Sequence, residues 1–80
     1  MGVTEDLADA LARDVLEAVE ALGDPTLIEE IAKTLGTSST VTQEAYMTAI
    51  RVRMAEARAR KLLNDRLHKA RADRKATGPS

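Results

Sequence analysis

Neither glycine nor proline occurs between residues 41 and 77. A stretch that long without a helix breaker constrains the fold more than any other feature, because only one long helix uses it without unpaired backbone. Thr40 stands at its start, and Gln43 three residues later completes a capping-box pattern. The helix is expected over residues 41–72, on the order of 45 Å at about 1.5 Å per residue. Residues 73–80 close in Thr-Gly-Pro-Ser and are expected to form a flexible tail, leaving 1–72 as a single helical domain.

Two shorter helices precede it. Thr4 is placed to cap the first, with Glu5 and Asp6 in the turn where the helix dipole favours negative charge. Leu7, Leu11, Val15, Ala18 and Leu22 follow 3.6-residue spacing, with Ala8, Ala12 and Val19 alongside, so one buried face over residues 5–22 is expected. Gly23 supplies the stop. Asp24-Pro25 then reads as N-cap and first residue of a second helix over residues 25–35. Its buried face is Leu27, Ile28, Ile31, Ala32 and Leu35, and Gly36 is expected to end it. At roughly 27 and 16 Å, the two short helices laid end to end just match the long one.

The fold class is therefore all-α: three helices with a long C-terminal member. Supply of apolar side chains is thin. Twenty residues are Val, Leu, Ile, Tyr or internal Met, and fourteen more are Ala. A chain of this size seldom gains more than ~3–5 kcal/mol from one hydrophobic core. No cysteine is present to add disulfides or thiolate-held zinc. Completion of a helical bundle by self-association is the expected remedy.

Placed at 100° intervals, the long helix shows two apolar stripes. The main one holds Val41, Ala45, Ala49, Val52, Ala55, Ala59, Leu62, Leu63, Leu67 and Ala70. The second, nearly opposite and shorter, holds Tyr46, Met47, Ile50, Met54 and Ala57. Either the first two helices cover one stripe each and both are core, or one stripe is core and the other meets a second copy or a protein partner; the thin apolar supply favours the latter. The adaptable methionines favour Tyr46, Met47, Ile50 and Met54 as the partner surface. On that expectation Ile50→Glu separates a dimer while leaving helical content intact.

Charge is also sorted along the chain. Residues 1–44 hold ten acids and two bases, whereas residues 45–80 hold ten bases and three acids. A net charge of −1 thus hides −8 against +7. The acidic first helix is expected beside the basic half of the third, within one chain or across a dimer.

The segment Ile28–Ser38 resembles the first helix and turn of a DNA-binding helix-turn-helix, with Ala32 at the close-packing position and Gly36 at the turn. The resemblance implies that Ser39, Thr40, Thr42, Gln43 and Tyr46 face base edges and that Arg51 and Arg53 reach phosphates, with Arg58 and Arg60 further along the basic run. Against it, Val41 stands five residues past the glycine where the motif places its apolar anchor at six. Glu44 would lie near the DNA backbone, and the pI of about 5.8 is far from the basic range of such domains.

Catalytic chemistry finds little material. One histidine, no cysteine and no glycine-rich phosphate loop are present. Asp65 and His68 share a face but lack the third ligand a metal site needs. No enzyme activity, cofactor, metal or small-molecule substrate is expected. No run approaches ~18 apolar residues, so no membrane span is expected, and the acidic N-terminus lacks the features of a signal peptide. The chain reads as a cytoplasmic interaction or regulatory module, a homodimer or the ligand of another protein; a small DNA-binding protein is the alternative.

Overall fold

A computed structural model describes residues 2–77. It is all-α: α1 spans Val3–Leu22, α2 Leu27–Ser38 and α3 Thr40–Thr77. The third helix continues five residues past the expected end at 72, and residues 78–80 of the expected tail lie outside the described residues.

The caps differ from expectation in instructive ways. Gly2, not Thr4, precedes α1, and Glu5 folds back so that its Oε2 accepts from the Gly2 amide at 3.0 Å. Gly23 does end α1: at φ 66° it adopts the left-handed conformation a C′ residue needs, and its amide donates to the Val19 carbonyl at 2.8 Å. Asp24 and Pro25 are not the N-cap and first residue of α2: Thr26 stands at the cap and the helix starts at Leu27, with Asp24 in the turn before it. Asp24 Oδ1 accepts from the Thr26 amide at 3.1 Å and from the Thr26 hydroxyl at 2.6 Å, holding the Pro25-Thr26 turn that leads into Leu27.

Gly36 does not stop α2. It lies inside the helix, which runs on to Ser38, and the only break before α3 is Ser39, with extended backbone at φ −157°. Ser39 serves both helices. Its amide donates to the Leu35 carbonyl at 2.8 Å, and its hydroxyl oxygen accepts from the Thr42 amide at 3.1 Å. Gln43 therefore has no capping role. Its side-chain amide instead donates to the Ala32 carbonyl at 2.9 Å, tying α3 to α2. A methyl group at position 36 would sit 2.6 Å from Gln43 Nε2, so glycine is there to make room.

The core is Ala8, Ala12, Val15, Ala32, Tyr46 and Ile50. Three alanines let the backbones of α1 and α2 come close around the fully buried Tyr46 ring. This choice turns α1 relative to the expected face: Ala8 and Ala12 go inward, while Leu7 and Leu22 remain 65% and 71% exposed. Leu11, Leu16, Val19, Leu27, Ile28, Ile31 and Leu35 close the cluster from its rim.

The assignment of α3's two stripes is the main correction. Met54 alone of the residues expected at a partner surface stays exposed, whereas Tyr46 and Ile50 are buried within one chain and Met47 is half-buried against the same cluster. Tyr46, Met47 and Ile50 belong to the core, and Ile50→Glu becomes an unfolding mutation. Both short helices pack on that one side of α3. Of the main stripe only Ala45 and Ala49 join the rim of the core. From Met54 to Arg74 every residue is exposed, so the last half of α3 runs alone. The short helices do not line up end to end along α3; they fold against each other over its first half.

Candidate docking surface on the third helix

The uncovered part of α3 carries an ordered surface. Val52, Leu62, Leu63 and Leu67 are 62%, 59%, 53% and 48% exposed, and with Ala55 and Ala59 they form one stripe on the side away from Tyr46 and Ile50. The stripe begins at a shallow groove between α1 and α3, lined by Glu5, Asp9, Ala45, Thr48, Ala49 and Val52. Monomeric proteins scatter single apolar residues over their surfaces; here three leucines share six residues of one uncovered helix.

Charge frames the stripe. From Arg51 to Arg74, nine bases stand against three acids. Some bases are already engaged. Arg53 meets Asp9 through both Nε and Nη2 at 2.8 Å each, the one ion pair joining the acidic first helix to the basic third among the described residues. The Arg53 guanidinium, mainly by hydrogen bonding, holds the Asp9 carboxyl below its usual range, and Asp9 raises Arg53 in turn. Arg60 pairs with Glu56 at 2.6 Å and Lys61 with Asp65 at 2.9 Å, both one helical turn apart on the exposed rod. Arg51 and Arg58 project into solvent.

The groups that a helix-turn-helix would aim at bases are occupied elsewhere. Gln43 is bound to the Ala32 carbonyl, the Tyr46 hydroxyl donates to the Ile28 carbonyl at 3.1 Å, and the Thr42 hydroxyl donates to Ser39 Oγ at 3.0 Å. One residue separates α2 from α3, whereas the motif uses a turn of about 3–4 residues. Burial pushes the Tyr46 hydroxyl above the ordinary phenol range, with the charge of Glu29 adding to the effect. That hydroxyl is a structural donor in the core.

His68 is exposed on the rod, and among the described residues no group of three or more His, Cys, Asp or Glu side chains is gathered to hold a metal ion. No helix among them is long and apolar enough to cross a membrane. The signal for the exposed stripe was present in the sequence as its main row. The sequence could not show which of two opposed rows the short helices choose. Compared with models of protein families, with curated proteins and with solved structures, the chain matches none.

Proposed function

We propose that this chain is a non-catalytic helical association module of cytoplasmic, regulatory type, and that its docking element is the outer face of the second half of α3. The observation that carries the reading is the row Val52, Leu62, Leu63 and Leu67, left open on a helix whose other side already holds the core. Covering a half-exposed leucine of this kind contributes roughly 0.7–1.5 kcal/mol, so three of them approach the stability expected of the whole small core. The basic flanks select among partners by charge and add little affinity of their own.

The test compares protein docking with polyanion binding. Hydrogen exchange over residues 55–74 in the protein complex should show protection that Leu63→Glu removes. Mixed-sequence duplex DNA or RNA should bind weakly if at all. The reading fails if nucleic acid binds with a steep salt slope, is indifferent to Leu63→Glu, and is lost in Arg58→Gln/Arg66→Gln, because that pattern assigns the rod to phosphates.

A further inference from the structure

We infer that the open face of α3 is covered by the same face of a second copy of this chain, running antiparallel, with the two-fold axis crossing at about the level of Ala57. This rests on the docking reading above and adds the identity and direction of the partner.

Size grading along the stripe points to this arrangement. Between Val41 and Val52 the stripe is small, with Ala45, Thr48 and Ala49 in the groove beside α1, and further on it is bulky, with Leu62, Leu63 and Leu67. An antiparallel pair lays the bulky half of each copy over the small half of the other. Leu62 then stands level with the second copy's Val52, while Leu63 and Leu67 cover its Thr48 and Ala49. A parallel pair sets leucine against leucine at one end and leaves alanine facing alanine at the other, with a gap between them.

Charge grading runs the same way. Glu5 lines the small half beside Asp9, whose charge Arg53 already shares, and the bulky half is flanked by bases such as Arg58, Arg66 and Lys69. Antiparallel packing brings bases to acids at both ends at once, whereas parallel packing stacks two strongly basic rods. An isologous two-fold contact requires one surface to complement itself, and opposed gradients of size and charge on one stripe meet that requirement. A foreign acidic helix answers the charge gradient but gives no reason for the small residues to sit where the leucines of a second copy fall.

Beyond the body, α3 gains nothing from tertiary packing within its own chain. Paired, it acquires a seam.

Sedimentation of the full chain across the micromolar to millimolar range is the first measurement. A concentration-dependent dimer is expected, and Leu62→Ser and Leu63→Ser should each weaken it roughly tenfold to a hundredfold. Helical content of the body should persist in these variants, because neither leucine touches the core. Direction is read with single cysteines in a chain that has none. Ala45→Cys mixed with Ala70→Cys should oxidise to the mixed disulfide, whereas each alone should not, since like positions lie about 36 Å apart along the pair. Homodisulfides at both positions would establish a parallel pair and overturn the inference. A monomer throughout the range would overturn it as well, while leaving docking to another protein standing. Salt-steep nucleic-acid binding that ignores the leucines would remove both.

Discussion

Arg53 and Asp9 lie 44 residues apart in sequence and meet through two parallel N–H···O contacts of 2.8 Å, clasping α3 to α1. The pair sits at the last level where α3 has neighbours. Beyond it the helix is bare, so the clasp marks where the folded body ends and the exposed rod begins. Both side chains retain solvent contact, so its strength depends on geometry and on ionic conditions.

The Asp9 carboxyl titrates below its usual range, which fixes the sign of its contribution to stability. The contribution is complete above the unfolded carboxylate pKa, and it fades as pH falls through the lower folded value. Melting temperature followed from pH 7 down through the carboxylate range should drop less steeply in Asp9→Asn than in the parent. High salt should narrow the difference. Identical acid profiles would show that the clasp contributes nothing in solution.

Tyr46 gives the opposite sign at the alkaline end. Its hydroxyl titrates above the ordinary value because burial disfavours the phenolate. Stability from the neutral form is complete below the unfolded tyrosine pKa and is lost as pH rises through the folded one. Tyr46→Phe should remove that alkaline loss, at the cost of about 0.5–1.5 kcal/mol at neutral pH for the bond to the Ile28 carbonyl. Denaturant melts at neutral and alkaline pH measure both effects.

Gly36 and Gln43 should behave as a coupled pair. Gly36→Ala alone gains helix propensity of about 1 kcal/mol but drives a methyl into Gln43 Nε2, endangering its bond to the Ala32 carbonyl. The two effects nearly cancel. In a Gln43→Ala background the same change should stabilise by nearly the full propensity difference. A double-mutant cycle in urea checks this, and strict additivity would contradict the geometry.

Ile50→Glu should unfold the chain. Ile50 is 2% exposed, and an unpaired carboxylate there costs several kcal/mol against a core worth little more. Circular dichroism should show general loss of helix. Retained helicity would mean that the stripe of Tyr46, Met47 and Ile50 is open after all.

Much of the architecture was legible in residue order. The absence of any breaker after Thr40 determined the long helix, Gly23 and Asp24 marked the first corner, and the spacing of Ile28, Ile31 and Leu35 determined the inner face of α2. Such features depend on contacts within a few residues, where backbone geometry and capping chemistry act directly. Gly36 misled for a related reason: a glycine that ends a helix and one that admits a neighbour's side chain are the same letter, and only the arrival of Gln43 distinguishes them.

Which row of α3 faces inward was a tertiary decision. Both rows have helical spacing, and the main one is longer and richer in leucine, so periodicity alone favoured it. The fold chose the shorter row because Tyr46 reaches the Ile28 carbonyl there and because Ala8, Ala12 and Ala32 allow three backbones to close around one ring. Packing rewards shape complementarity among distant residues, which no local pattern encodes. The richer row was left outside, uncovered by either short helix.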